Sequence, residues 1–272
     1  MRVLTEKIQA AGHEAELILY LQDNSAEIDP LRQRPMILIC PGGGYEFLSE
    51  REGEPVALHF LSLGYQAAVL KYSVAPAVRY PVALKQLATS VAFIRKNAGD
   101  FFVDAAKITV LGFSAGGHLA ASLGVNWNKP LLADIAPAAE IYPNALVLSY
   151  PVISSGKYAH QGSFQALLGA DYPKENAAVS IEKLVDQDFP ATFVWHTVAD
   201  DAVPAKNSLL LADALYDASI PFEFHLYNRG LHGLSLGTVE TRRASEPYQI
   251  LEDVENWPQM ADRWLKNQFA KN

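Results

Sequence analysis

Cysteine is nearly absent from this chain. The single residue, Cys40, permits no intrachain disulfide, and a disulfide-free chain fits a reducing compartment. Long apolar runs are absent too. MILIC (36–40) is typical, far short of the ~20 residues that a membrane span needs. The opening MRVLTEKIQAAGHEAEL mixes acidic and polar residues without an apolar centre, which argues against a signal peptide. Together these features predict a soluble, cytoplasmic protein. Blocks of basic residues are also missing, and the formal net charge is −8. Nucleic acid and anionic membranes are therefore poor partners, while a neutral small molecule remains open. No internal repeat, low-complexity segment or linker interrupts the chain.

What is present is apolar material with a readable period. Half of the 272 residues are apolar and a tenth are aromatic, ample for a core. The chain reads as a single domain over 1–272. Strand-like runs are AELILYL (15–21), PMILIC (35–40), YQAAVLKY (65–72), KITVLGF (107–113), ALVLSYPVI (145–153), ATFVWHT (191–197) and FEFHLY (222–227). Several are nearly continuous Leu, Ile and Val, as in strands covered on both faces. Helical patterns alternate with them at 81–99, 206–220 and 256–269. The first sets Val82, Leu84, Leu87, Val91 and Ile94 roughly on one face and stops at Gly99. The alternation predicts an α/β fold with a mostly parallel sheet of about eight strands flanked by helices. Residues 154–190 break the rhythm with polar, Gly- and Pro-punctuated sequence, and are expected to form a small cap insertion.

The stretch LGFSAGGHLA (111–120) follows the strand pattern KITVL and opens a helix-like run. It lacks the lysine of a P-loop and the spacing of a dinucleotide fingerprint. Gly112-Phe113-Ser114-Ala115-Gly116 does fit G-x-S-x-G, a strand-to-helix turn that lifts a serine hydroxyl above a sheet. There the next N–H, that of Ala115, faces any oxygen held at the serine. Taken alone it is equally an ordinary turn. Three further segments tip the balance. Pro41-Gly42-Gly43-Gly44-Tyr45 follows PMILIC, and its glycines let backbone amides approach a ligand closely. Asp200 and Asp201 follow ATFVWHT, at the carboxyl edge where ligands of α/β sheets bind. His232 lies in the loop Asn228–Gly233 after FEFHLY. Ser, Asp and His thus appear in the order used by α/β-hydrolases.

On these residues the sequence resembles the α/β-hydrolase superfamily. Within it, the chain is similar to the esterase/lipase group with an H-G-G-G type loop, close to acetyl-xylan-esterase-like bacterial carboxylesterases. The resemblance rests on PGGGY (41–45), KYSVAP with YPVAL (71–84), GFSAGGHLA (112–120), SYPVI (149–153), HTVADDAVPAKNSLLLADAL (196–215) and RGLHGLSL (229–236). It implies Ser114 as nucleophile, His232 as general base and Asp200, rather than Asp201, as the acid that orients it. It implies oxyanion donors at the N–H groups of Gly43, Gly44 and Ala115. Pro41 departs from the histidine that braces this loop in many relatives, so bracing must come from elsewhere. The implied activity is a serine carboxylesterase hydrolysing short-chain acyl esters, acetylated sugars included, without cofactor or metal.

Other side chains are weaker candidates. Tyr45, Tyr72 and His160 could contact substrate, with core or rim packing as the default for the tyrosines. His118, four residues beyond Ser114, is expected to pack or hydrogen-bond beneath the site, and Asp201 to support a helix start, with replacement of Asp200 as the acid the alternative. Cys40 reads as a buried small residue. His13, His59, His196 and His225 show no ligand spacing, so no metal site is expected. Two rivals stay open at this level. One is an amidase, arylformamidase or peptidase of the same fold, which the triad residues do not separate from an esterase. The other is a non-catalytic small-molecule binder, a class that commonly lacks the histidine. Exposed edge strands and helices in such folds often pair, which makes a homodimer an expectation with no residue to fix it.

Overall fold

The computed structural model describes residues 1–246 and 249–270. Among these, eight strands form one sheet: β1 (Arg2–Ala10), β2 (His13–Leu21), β3 (Arg34–Cys40), β4 (Gln66–Lys71), β5 (Val103–Phe113), β6 (Ala145–Ser149), β7 (Thr192–Thr197) and β8 (Phe222–Tyr227). The strand order is β1-β2-β4-β3-β5-β6-β7-β8. Strands β3 to β8 are mutually parallel, whereas β1–β2 and β2–β4 pair antiparallel. Strand β1 is absent from the sequence expectation. Its alternating exposed and half-buried positions carry little apolar signal. The turn to β2 uses Ala11 and Gly12, both at positive φ, which suits a two-residue hairpin.

The central strands are buried on both faces, which is why they read as unbroken apolar runs. Helices α1 (Glu54–Ser62) and α7 (Trp257–Phe269) cover one face. The other face carries α2 (Val82–Lys96), α3 (Ala115–Asn126), α5 (Gln161–Leu168) and α6 (Lys206–Asp217), with the short α4 (Ala138–Ile141) beside α2. Segment 154–190 contributes α5 and three short 3-10 turns. It packs on the start of α3, where His118 meets the Val179 carbonyl and the Phe164 ring.

The register aligns the carboxyl ends of the strands. Cys40 of β3 lies opposite Gly112 of β5, Gly112 opposite Leu148 of β6, and Leu148 opposite Val194 of β7. The loops that leave β3, β5 and β7 therefore emerge along one edge. Strand β3 is the point where the order reverses, and ligands of open α/β sheets bind at such a switch.

Candidate active site

Ser114 sits between β5 and α3 with φ 51° and ψ −117°. Few non-glycine residues adopt this conformation, and it is held by packing on all sides. The Ser114 N–H donates to the Ser149 carbonyl at 3.0 Å, and its own carbonyl accepts from His118 and Val152 at 3.1 and 3.0 Å. The neighbours are glycine of necessity. A Cβ on Gly112 would lie 2.2 Å from the Gly116 carbonyl oxygen, and one on Gly116 would lie 2.1 Å from that of Cys40.

His232 meets this serine across 118 residues of chain, and Asp200 meets His232 across 32. His232 Nε2 stands 2.8 Å from Ser114 Oγ, and its Nδ1 stands 2.7 Å from Asp200 Oδ2. Nδ1–H donates to the carboxylate, which leaves Nε2 to accept from the serine hydroxyl. The Asp200 side chain is fully buried and that of His232 is 19% exposed. Oδ1 of Asp200 accepts the N–H groups of Ala202 and Val203 at 3.0 and 2.8 Å. Burial pushes the Asp200 carboxyl up, but the hydrogen bonds from His196 and His232 outweigh it and hold the group below the usual carboxylate range.

His196 belongs to this cluster, although its lack of ligand spacing assigned it no role. Its Nε2–H faces Asp200 Oδ2 at 3.2 Å and the Val203 carbonyl at 2.9 Å, while Nδ1 meets Ser208 Oγ at 2.8 Å. The signal was its position at the end of β7, four residues before Asp200. Asp201 corrects an expectation. α6 begins only at Lys206, so Asp201 starts no helix; its Oδ1 accepts the His232 N–H at 3.1 Å. Both aspartates thus act on His232, one on the ring and one on the backbone.

The glycine loop lies beside the serine. Gly43 has φ +127°, and a Cβ there would sit 2.1 Å from the Phe47 carbonyl oxygen. The loop closes on itself through Glu46 and Phe47 N–H groups donated to the Gly43 carbonyl. The N–H groups of Gly43 and Gly44 donate to no acceptor among the described residues. Ala115 is the first residue of α3, and its N–H has no partner within the helix.

Tyr45 and Tyr72 are only 3% and 2% exposed, so the expectation that they line the substrate site is corrected. The Tyr45 hydroxyl lies 2.8 Å from His118 Nδ1 and donates to it, and Tyr72 donates to the Pro41 carbonyl at 2.6 Å. Tyr72 thereby supplies the bracing that Pro41 cannot. The Gly42 N–H, on the other side of the same peptide, donates to Glu52 Oε2 at 2.8 Å. The sequence reading passed over Glu52, because a glutamate in REGEP looks like surface. His160 is half-buried at the N-terminus of α5 and accepts at Nδ1 from Ser163. Burial pushes its imidazole down, His232 acts in the same sense, and Asp200 and Glu46 act against them.

A cavity of about 940 Å³ opens on the far side of the glycine loop, lined by Tyr20, Pro41, Leu48, Leu58 and Glu240 among others. None of Ser114, Asp200 and His232 lines it, so the chemistry is located by geometry rather than by volume. Among the described residues no group of three or more His, Cys, Asp or Glu side chains could hold a metal ion. No helix among them is long and apolar enough to cross a membrane.

Comparison with known proteins places the chain in a family. The BD-FAE family profile matches residues 22–215, a stretch that holds Gly43, Gly44, Ser114 and Asp200 and ends before His232. The chain is 37% identical over 238 residues to endo-1,4-beta-xylanase B of Butyrivibrio fibrisolvens, covering 84% of this chain and 36% of that protein. The chain spans about a third to a half of the length of the first curated relatives it matches. Solved structures match over nearly their full length. An acetyl ester-xyloside bifunctional hydrolase from Caldicellulosiruptor lactoaceticus aligns with TM-score 0.79 and 35% identity, covering 94% of this chain and 88% of the other. A carboxylesterase from Lactobacillus plantarum aligns with TM-score 0.87 and 29% identity, covering 98% of both chains. With the family profile spanning the sheet from β3 to β7 and these hydrolases sharing the whole architecture, the chain belongs to the BD-FAE family of α/β hydrolases.

Proposed function

We propose that the protein is a serine carboxylesterase that hydrolyses short-chain acyl esters, acetyl esters of sugars among them, through an acyl-enzyme. The observation that carries this reading is the line from Ser114 Oγ to His232 Nε2 at 2.8 Å and from His232 Nδ1 to Asp200 Oδ2 at 2.7 Å. A serine hydroxyl is a weak nucleophile until a base takes its proton. In this reading Ser114 Oγ attacks the ester carbonyl carbon as its proton passes to His232 Nε2. Asp200 holds the imidazole in the tautomer that can accept, and stabilises it once charged. The carbonyl oxygen becomes an oxyanion, which the N–H groups of Gly43, Gly44 and Ala115 stabilise.

As the intermediate collapses, the C–O bond to the alcohol breaks and His232 returns its proton to the leaving oxygen. Water then gives a proton to His232 and attacks the acyl carbon, and the second collapse frees the acid and restores Ser114. Each oxyanion donor in such a site is worth ~100- to 1000-fold in rate. Ser163, near Gly44, and His160, hydrogen-bonded to it, are polar side chains suited to an alcohol with hydroxyl groups of its own. The likeness to an acetyl ester-xyloside bifunctional hydrolase supports the same reading.

The test is release of p-nitrophenol from acetate, butyrate and octanoate esters, and of acetate from acetylated xylo-oligosaccharides, by wild type and Ser114→Ala. The expected result is fastest hydrolysis of acetate or butyrate and background activity in the variant. If Ser114→Ala keeps most of the activity, the assignment of the nucleophile is wrong. If the wild type cleaves N-formyl aryl amides and spares every ester, the enzyme is an amidase.

A further inference from the structure

We propose that Glu52 is a positioning residue of this site, whose buried carboxyl clamps the glycine loop to the loop that carries His232. The inference rests on the serine-hydrolase reading above. Glu52 ends a 3-10 turn (Glu50–Glu52), is 3% exposed, and touches no reacting atom in that mechanism. A buried carboxyl without partners is costly, so its two hydrogen bonds demand an account. Oε2 accepts the Gly42 N–H at 2.8 Å, and Oε1 accepts the Tyr150 hydroxyl at 2.7 Å.

The first bond fixes the plane of one peptide. Tyr72 holds its carbonyl, at Pro41, and Glu52 holds its N–H, at Gly42. The orientation of this peptide sets where the next two amides, of Gly43 and Gly44, point. The fit is close on every side: a Cβ on Gly42 would lie 2.7 Å from Glu52 Oε2 and 3.0 Å from Ser114 Cβ. The second bond reaches the other loop. Tyr150 packs its ring edge-on to the His232 imidazole, with centroids 5.1 Å apart, and its hydroxyl accepts the Ser235 N–H at 2.8 Å. The turn itself adds two ties. Ser235 Oγ donates to the Arg51 carbonyl at 2.7 Å, and Arg51 Nη1 donates to the Gly233 carbonyl at 2.9 Å. One turn therefore holds both residues that flank the oxyanion donors and residues that flank the base.

The chemistry of the clamp explains the residue type. Both of its partners are donors, and both carboxyl oxygens accept. Glutamine keeps the shape but offers one acceptor to two donors, so either one tie breaks or the Tyr150 hydroxyl turns to accept from the amide and leaves its own proton unpaired. Displacements of the order of 1 Å in such a site cost about 100-fold in rate. The loss falls on the transition state, because the oxyanion exists only there.

The experiment compares wild type, Glu52→Gln and Tyr150→Phe. It reads kcat and KM on p-nitrophenyl acetate, inhibition by an alkyl trifluoromethyl ketone, and the thermal midpoint. The ketone forms a tetrahedral oxyanion adduct on the serine. The expected result for Glu52→Gln is a fall in kcat of about tenfold or more, with KM within about twofold and ketone affinity falling in parallel with kcat. Glu52→Gln and Tyr150→Phe enzymes that fold and both keep kcat and ketone affinity within about twofold overturn the proposal, as does a lowered thermal midpoint with kcat intact in both. If Glu52→Gln does not fold, Tyr150→Phe decides by the same readings, since it cuts only the tie to the base. If the wild type itself hydrolyses no ester, the functional reading fails and the clamp is judged separately. The amide proton resonance of Gly42 in glycine-labelled protein should then move upfield in Glu52→Gln, and an unmoved resonance overturns the clamp.

Discussion

Replacing His118 by glutamine should remove a defined pH dependence from the stability of the protein. His118 is fully buried one turn into α3. Its Nδ1 accepts from the Tyr45 hydroxyl, its Nε2–H donates to the Val179 carbonyl, both at 2.8 Å, and the Phe164 ring closes the pocket with centroids 5.3 Å apart. Burial, against a weaker opposing pull from the Val179 carbonyl, pushes the imidazole down to about 4 from 6.5. The unfolded chain therefore takes up this proton as pH falls through about 6.5, while the native state resists until about 4. Over that window the unfolded state binds more protons, so stability falls as pH falls. At about 1.4 kcal/mol per tenfold difference in proton affinity, the full loss is about 3 kcal/mol, with most of it spent by about pH 4.5. Urea unfolding midpoints from about pH 7.5 to about pH 4.5 read this directly. Glutamine retains an acceptor and a donor at similar reach but does not titrate, so its midpoint should be lower at neutral pH and flatter across the window. Equal slopes in the two proteins, or an imidazole resonance of His118 that titrates near 6.5, would refute the packing argument.

Two further substitutions probe the glycine loop and the serine turn. Tyr72→Phe removes the hydroxyl that holds the Pro41 carbonyl at 2.6 Å. It should cost about 1 kcal/mol in unfolding free energy and lower kcat more than it raises KM; steady-state kinetics that show only a KM change would contradict the bracing role. Gly116→Ala drives a Cβ to 2.1 Å from the Cys40 carbonyl oxygen and 2.4 Å from that of Pro41, both of them backbone. The loss of stability should reach about 3 kcal/mol, and an unchanged thermal midpoint would show that the serine turn and the end of β3 are less tightly joined than they look.

The parallel strands were legible because they are buried on both faces, so the Leu, Ile and Val runs of β3, β5, β6 and β7 announce themselves. Strand β1 was not, since Glu6 and Lys7 interrupt it and it is covered on one side at most. Helix α1 also escaped the period. Glu54 and Pro55 open it, and its apolar residues Val56, Ala57, Phe60 and Leu61 fill only two turns. Segment 154–190 reads as irregular, but its docking on α3 through Val179 and Phe164 depends on contacts that span 61 and 46 positions, which no local pattern carries.

The candidate site divides along the same physical line. Ser114, Asp200 and His232 stood out because each follows a strand in sequence, and strands that run parallel deliver their carboxyl ends to one edge. Residue type and chain order were enough to bring them together. The groups that hold them are of another kind. Glu52, Tyr72, Tyr150 and Asp201 each make a hydrogen bond to a backbone atom of another loop. A backbone partner leaves no mark on the residue opposite, because any amino acid presents the same N–H or carbonyl. A site of this type is therefore half visible in a sequence: the side chains that meet substrate declare themselves, and those that aim the backbone do not. The Pro41 position made the gap readable, since a loop without its usual histidine still needs a brace, and the buried hydroxyl of Tyr72 and carboxyl of Glu52 fill that need from either side of one peptide.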